Sequence, residues 1–126
     1  MNDLPVIDQH LLERICQTLY DKKGFNIMAL DVRNLSTLTD YFIIAEGNVE
    51  KHVQTLAKHV AEVLSEEGRK PLHLEGLREG DWVVLDFSDV VIHLLTPEMR
   101  ERYSLEHLWQ EAKIIDVPIH VGHASL

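Results

Sequence analysis

The stretch that decides the fold runs from Asp81 to Trp109 and reads DWVVLDFSDVVIHLLTPEMRERYSLEHLW. It opens with two apolar segments, Trp82–Phe87 and Val90–Leu95, which are rich in Val, Ile and aromatic residues and are separated only by Ser88-Asp89. Two such segments with a very short polar connection are typical of antiparallel strands joined by a tight turn. The stretch therefore predicts a β-hairpin.

The two faces of this hairpin differ in character. With Ser88 and Asp89 as the loop, Val84 lies opposite His93, and side chains alternate between the faces. One face is wholly apolar: Val83, Leu85, Phe87, Val90, Ile92 and Leu94. The other is mixed: Trp82, Val84, Asp86, Val91, His93 and Leu95. We predict that the first face joins the core and that a helix, a second copy or another protein partly covers the second.

Two short helices are predicted after the hairpin. Thr96 is a good N-cap and Pro97 suits the first helical position, which indicates a helix over Pro97–Arg102. Ser104 can cap a second helix, because apolar residues follow at positions i, i+3, i+4 and i+7: Leu105, Leu108, Trp109 and Ala112.

Before the hairpin, helical and strand patterns follow one another. They predict a helix over Leu4–Lys23, strands over Asn26–Val32 and Thr39–Glu46, a helix from the N-cap Asn48 to the stop signal Gly68, and a short edge strand over Pro71–Glu75. The second strand is nearly apolar on both faces and is predicted to be central. This order indicates the α/β (α+β) class, with a single mixed β-sheet of about five strands and packed helices.

The length of 126 residues corresponds to one domain. We place this domain over residues 1–112. The remaining residues, 113–126, include Pro118 and Gly122 and have no evident position in the core. We expect them to form a C-terminal tail that is mobile or lies along a partner.

Charge and composition restrict the classes of function. The net charge of −9 repels nucleic-acid phosphate and favours a basic protein as the partner. No apolar run approaches the roughly 20 residues of a membrane span, and no signal-peptide pattern opens the chain. The lone Cys16 fits a reducing compartment and is predicted to be a buried apolar residue rather than a reactive thiol. We therefore expect a cytoplasmic protein with no membrane or sequence-specific nucleic-acid binding.

No catalytic set, metal site or cofactor is predicted. The sequence lacks Gly-x-Ser-x-Gly, and Gly47-Asn48 has neither a glycine-rich pattern nor a Walker lysine beside it. His52 and His59 lie two helical turns apart, and His120-x-x-His123 has no supporting carboxylate or cysteine.

Asp86 and His93 are diagonal neighbours on the mixed face, within hydrogen-bonding reach of each other. They allow an acid–base dyad or a structural pair that shapes a binding surface. The second interpretation is favoured because no nucleophile or oxyanion-binding group accompanies them. Trp82, Tyr103 and Trp109 are natural anchors of a protein interface, although a core role is the alternative for each.

A family resemblance rests on several motifs. They are Ala29-Leu30-Asp31-Val32, Thr39-Asp40-Tyr41-Phe42-Ile43-Ile44-Ala45, Gly47-Asn48, Glu75-Gly76, Trp82-Val83-Val84-Leu85-Asp86, Asp89-Val90-Val91-Ile92-His93 and Arg102-Tyr103-Ser104-Leu105-Glu106-His107-Leu108-Trp109. Together they resemble the ribosomal silencing factor (RsfS, Iojap-related) family, from about Leu11 to Ala112. Glu46 departs from the family pattern, in which a small hydroxyl residue precedes the glycine, and Val49 stands where Ser is common.

The resemblance implies a nucleotidyltransferase-like fold without enzymatic activity. It implies binding to the large ribosomal subunit through the ribosomal protein uL14, a block on joining of the small subunit, repression of translation under nutrient limitation, and a homodimer when free. The residues expected to contact the partner are Trp82, Asp86, His93, Tyr103 and Glu106, with Asp40 and Tyr41 less central.

Two alternatives remain open at this point. The first is a degenerate nucleotidyltransferase-like enzyme that binds nucleotide and Mg²⁺ through Asp31, Asp40 or Asp86, which rests on fold analogy. The second is a dimeric scaffold for another basic partner.

Overall fold

Two amphipathic helices pack on one face of a six-stranded sheet in the computed structural model, which describes residues 3–121. In chain order the elements are α1 (Val6–Asp21), β1 (Phe25–Asp31), β2 (Tyr41–Glu46), α2 (Glu50–Glu66), β3 (His73–Glu75), β4 (Trp82–Asp86), β5 (Val90–Leu95), α3 (Pro97–Tyr103), a 3₁₀ helix (Leu105–Trp109) and β6 (Lys113–Ile115). The mixed α+β class predicted from the sequence is confirmed.

The sheet is mixed because one of its pairings is parallel. The strand order is β3-β4-β5-β2-β1-β6. Only β2 and β5 run parallel, with Phe42 beside Val91 and Ile44 beside His93, and the other pairs are antiparallel. Every residue of β2 is buried, which confirms the prediction of a central strand covered on both faces.

The main core lies between the sheet and helices α1 and α2. Both helices bury one stripe of residues: Leu11, Leu12, Ile15, Cys16 and Leu19 from α1, and Val53, Leu56, Ala57, Val60 and Leu64 from α2. The predicted apolar face of the hairpin lies against them and is buried throughout. This layer supplies most of the hydrophobic stabilisation.

The hairpin has the predicted register. Val84 pairs with His93 and Trp82 pairs with Leu95. The turn is closed by a hydrogen bond of 2.9 Å from the Phe87 amide to the Val90 carbonyl, and Ser88 adopts a φ of 78°. A left-handed residue in a tight turn matches the twist of the flanking strands.

The second face of the sheet is covered only in part. Helix α3 begins at the predicted cap, where Thr96 Oγ1 accepts a hydrogen bond from the Met99 amide. The segment that follows forms a 3₁₀ helix, with Ser104 in a left-handed conformation at the junction. A smaller cluster packs beneath these two helices: Leu30, Val32, Phe42, Ile44, Leu95 and Leu105.

The C-terminal segment corrects one prediction. Residues Lys113–Ile115, assigned from the sequence to a tail outside the core, form β6 and pair with Ala29–Asp31 of β1. Ile115 is buried, and Val117 and Ile119 pack against the main core. The sheet therefore has a sixth strand, and the fold continues past Ala112. His123 and the rest of residues 122–126 lie outside the described range.

The start of α2 corrects a second prediction, the N-cap at Asn48. The N-cap is Val49 rather than Asn48, and no side chain caps this helix end. The Asn48 amide instead donates to His52 Nδ1 at 2.9 Å, while His52 Nε2 contacts the Lys22 carbonyl at the end of α1. The predicted edge strand is present as the terminal strand of the sheet, over His73–Glu75 instead of Pro71–Glu75. None of the helices within residues 3–121 has the length and apolar character that crossing a membrane requires.

Candidate protein-binding surface

Five rings form a continuous row on the partly covered face of the sheet. We define the aromatic row as Tyr103, Trp82, His93, Phe42 and Trp109. Adjacent ring centroids lie 5.1 Å apart for Tyr103 and Trp82, 6.0 Å for Trp82 and His93, 4.7 Å for His93 and Phe42, and 6.1 Å for Phe42 and Trp109. All pairs are tilted, which is a favourable geometry for aromatic contacts.

The row is built by five different elements. Trp82, His93 and Phe42 come from the adjacent strands β4, β5 and β2, and their side chains share a face because of the pairing register. Tyr103 ends α3, and Trp109 ends the 3₁₀ helix. The complete aromatic row therefore forms only when both short helices are docked on the sheet.

A hydrogen bond fixes the centre of the row. Trp82 Nε1 donates to His93 Nδ1 at 2.9 Å. Burial lowers the pKa of His93 to about 4. The imidazole is therefore neutral at pH 7 and serves as the acceptor for the indole.

The predicted Asp86–His93 pair is not present. Asp86 Oδ1 accepts from the Ser88 amide at 2.8 Å and so stabilises the hairpin turn, while His93 is engaged by Trp82. The acid–base interpretation loses its geometric basis. Asp86 stays partly exposed on the same face as His93, next to the partly exposed Val84 and Val91.

The ends of the row are accessible to a partner. Tyr103 is 49% exposed, and Trp82 and Trp109 are partly exposed. Phe42 is buried beneath them. Large aromatic side chains that are packed on one side and open on the other are typical anchors of protein interfaces.

Glu106 belongs to the 3₁₀ helix that ends at Trp109, and its carboxylate is held by Arg100. Arg100 Nε donates to Glu106 Oε2 at 3.3 Å, and Arg100 Nη1 lies 3.2 Å from Glu46 Oε2. Sequence reasoning missed both Arg100 and Glu46 as contributors to the site. The available signal was Glu46, a charged residue that ends an otherwise apolar central strand.

Tyr41 and Asp40 lie apart from the row. Tyr41 is 1% exposed and faces the helical layer, where its hydroxyl donates to Asp8 at 2.6 Å. Burial and this hydrogen bond raise the pKa of Tyr41. Its side chain is inaccessible to a partner, which corrects its inclusion among the contact residues. Asp40 is exposed at the start of β2, at the end of the sheet away from Tyr103.

The three carboxylates considered for nucleotide and metal binding are not all brought together, because Asp86 lies apart from Asp31. Asp31 is engaged by Arg33 at 2.7 and 2.9 Å, and this hydrogen bonding lowers the pKa of Asp31. Asp86 lies on β4, three strand spacings from Asp31 on β1, which corresponds to about 14 Å. Within residues 3–121, no group of three His, Cys, Asp or Glu side chains is arranged to hold a metal ion.

The sequence of the chain is similar to that of a known protein family and its members. A sequence model of the family described as "Ribosomal silencing factor during starvation" matches residues 6–125. The chain is 36% identical over 110 residues to "Ribosomal silencing factor RsfS" of Halalkalibacterium halodurans, which covers 87% of this chain and 94% of that protein. It is 30% identical over 101 residues to "Mitochondrial assembly of ribosomal large subunit protein 1" of Mus musculus, covering 78% of this chain and 44% of the mouse protein.

A solved structure has the same fold. A crystal structure of a protein from Chromobacterium violaceum superimposes with a TM-score of 0.78 and 33% sequence identity, covering 93% of this chain and 95% of the other. The agreement spans nearly all of both chains.

Proposed function

The chain belongs to the ribosomal silencing factor family, and from this premise we propose that it binds the large ribosomal subunit through the ribosomal protein uL14. Bound there, it sterically blocks joining of the small subunit and represses translation under nutrient limitation. The action needs no chemical turnover, so the protein works as a binding factor and not as an enzyme. Its site of action is the cytoplasm.

The aromatic row is the observation that carries this proposal. Trp82, His93 and Tyr103 present a partly open, rigid aromatic surface on a face that α3 and the 3₁₀ helix leave incompletely covered. A few aromatic anchors in such a setting supply most of the energy of a typical protein interface. We propose that Trp82, Asp86, His93, Tyr103 and Glu106 contact uL14, with Asp40 at the periphery.

Charge supports a basic protein as the direct partner. The net charge of −9 disfavours contact through ribosomal RNA phosphates. The partly exposed Asp86 lies on the same face as His93, and its carboxylate can pair with lysine or arginine at the rim, whereas the Glu106 carboxylate is already held by Arg100. Complementary charge of this kind favours fast association and a specific orientation.

Relatives support the large subunit as the target. The mouse relative is named for assembly of the large ribosomal subunit in mitochondria. We extend this to a role of the present chain in large-subunit biogenesis as well as in silencing. When free, the protein is proposed to form a homodimer that covers the same aromatic face, since an accessible apolar surface of this kind favours self-association.

Sedimentation of purified subunits through a sucrose gradient tests the proposal. The protein is expected to co-migrate with the large subunit and to lower the amount of joined particle. It is expected not to co-migrate with large subunits depleted of uL14. If the protein stays at the top of the gradient while the subunits join normally, the proposal is wrong. Co-migration with uL14-depleted subunits would overturn the assignment of the direct partner alone.

A further inference from the structure

Arg100 joins three elements beneath the edge of the aromatic row. It is 8% exposed, which is rare for a guanidinium. Its Nη1 donates to the Asn26 carbonyl of β1 and to Glu46 Oε2 of β2 at 3.2 Å. Its Nε donates to Glu106 Oε2 of the 3₁₀ helix at 3.3 Å. Since Arg100 itself belongs to α3, the side chain links both short helices to the sheet.

The strand β1 is shaped to receive this side chain. Its pairing with β2 shifts register between Phe25 and Met28, and Asn26 adopts a φ of 50° in the bulge. Asn26 has no partner residue in β2, so its carbonyl is free to accept from Arg100. The Asn26 side chain in turn donates to Glu46 Oε2 at 3.2 Å. The bulge and Glu46 thus form one acceptor site for Arg100.

The main effect of the buried Arg100 ion pair is on the geometry of the elements it joins. A buried ion pair loses much of its Coulomb attraction to desolvation, so its net effect on stability is small compared with well-packed apolar residues. A guanidinium, however, has donors in a rigid planar fork and fixes the relative positions of its acceptors. Here those acceptors belong to β1, β2 and the 3₁₀ helix.

We infer that Arg100 and Glu46 are positioning residues for the partner surface. They hold α3 and the 3₁₀ helix at the angle that brings Tyr103 against Trp82 and Trp109 against Phe42. Neither residue contacts the partner, because Glu46 and Arg100 are both buried. The predicted effect on ribosome binding rests on the proposed function. The predicted effect on the positions of the two short helices does not, because it can be measured in the free protein.

The experiment compares Glu46→Gln with a control variant on the other side of the sheet. Glu46→Gln keeps the size of the side chain and removes one of the two carboxylate charges that Arg100 faces. Val60→Ala in α2 removes buried apolar contacts on the opposite face of the sheet and leaves the Arg100 contacts intact. Two quantities are measured for each: amide hydrogen exchange in the free protein, and affinity for the large subunit at a temperature where both variants are fully folded.

We expect Glu46→Gln to accelerate exchange selectively over residues 97–109 and to weaken binding about tenfold. Val60→Ala is expected to change exchange without this selectivity and to bind like the wild type. Asn26→Gly, which preserves the positive φ and removes only the side-chain contact to Glu46, is expected to act in the same direction by about twofold to threefold. It keeps the test available if Glu46→Gln does not fold.

The two proposals fail in distinguishable ways. If the wild type does not bind the large subunit, the proposed function is wrong, and exchange in the free protein still tests the positioning of α3. If Glu46→Gln and Asn26→Gly match Val60→Ala in both measurements, the inference about Arg100 and Glu46 is overturned while ribosome binding stands.

Discussion

Trp82 and His93 form a hydrogen bond across the hairpin, with 2.9 Å between Nε1 of the indole and Nδ1 of the imidazole. The bond requires an unprotonated Nδ1, and burial of the ring favours the same neutral state. One histidine therefore connects the protonation state of the protein to the geometry of the aromatic row.

This arrangement predicts that stability falls in mild acid. The pKa of His93 is about 4 in the folded state against 6.5 ordinarily, so the unfolded state binds more protons between these values. The contribution of His93 is complete above pH 6.5 and is lost as the pH falls towards 4, to a total of about 3 kcal/mol. Urea denaturation from pH 7.5 to 4.5 measures it. His93→Gln should show a shallower loss, and an identical pH profile would contradict the assignment.

The aromatic row predicts that the double variant Trp82→Ala and His93→Ala weakens binding to the large subunit by at least about 30-fold, since truncated anchors typically cost about 2 kcal/mol or more. Gradient sedimentation with titrated protein measures the affinity. Ile7→Ala, which truncates a 77% exposed side chain on α1, is the control and should bind normally. Unchanged binding by a folded double variant would remove both residues from the interface.

Two glycines with nearly the same φ should respond differently to alanine. Gly76 and Gly68 have φ values of 82° and 81°. A Cβ at Gly76 would lie 2.0 Å from the Trp82 carbonyl oxygen, whereas a Cβ at Gly68 meets nothing within 4 Å. Thermal unfolding should show a loss of about 1 kcal/mol for Gly68→Ala from the left-handed backbone alone, and a much larger loss or failure to fold for Gly76→Ala. Equal effects would show that the backbone near Trp82 can move aside.

Truncation of two adjacent isoleucines in β6 should lower the free energy of unfolding by very different amounts. Ile115 is 8% exposed and packs against the main core, whereas Ile114 is 72% exposed. Ile115→Ala should lower the free energy of unfolding by about 2 kcal/mol or more, and Ile114→Ala by less than about 0.5 kcal/mol. Chemical denaturation measures both. Equal and small effects would mean that β6 does not contribute to the core.

Burial of Cys16 predicts an unreactive thiol in the native protein. Desolvation raises the pKa of Cys16 to about 12, so almost no thiolate exists at pH 8. Ellman's reagent should react only as the protein unfolds, and fully in urea. Ile115→Ala should accelerate the reaction, because Ile115 and Cys16 belong to the same buried core and the substitution destabilises it. Ile114→Ala serves as the matched control. Rapid labelling of the wild type would contradict the burial.

Local sequence determined the hairpin, the helix cap that follows it and the central strand β2. The alternation of side chains with a period of two assigned each residue from Trp82 to Leu95 to its face, and the Ser88-Asp89 loop set the register. The Thr96-Pro97 cap and the central strand β2 were predicted for equally local reasons, because capping and apolar content are properties of a few consecutive residues. The same residues carry the motifs by which the family was predicted.

Tertiary structure alone decided which distant residues meet. Tyr41 and Phe42 are adjacent aromatic residues in an apolar strand. Only the pairing of β2 with β1 and β5 placed Phe42 in the aromatic row and Tyr41 against α1. Residues 113–115 contain two isoleucines, which favour strands, but three residues are too short a pattern to predict one, and their pairing depends on the free edge of β1. Arg100 and Glu46 meet although 54 positions separate them. Periodicity is a property of neighbouring residues, whereas the order of strands and the burial of a charge depend on contacts between segments that only the complete fold brings together.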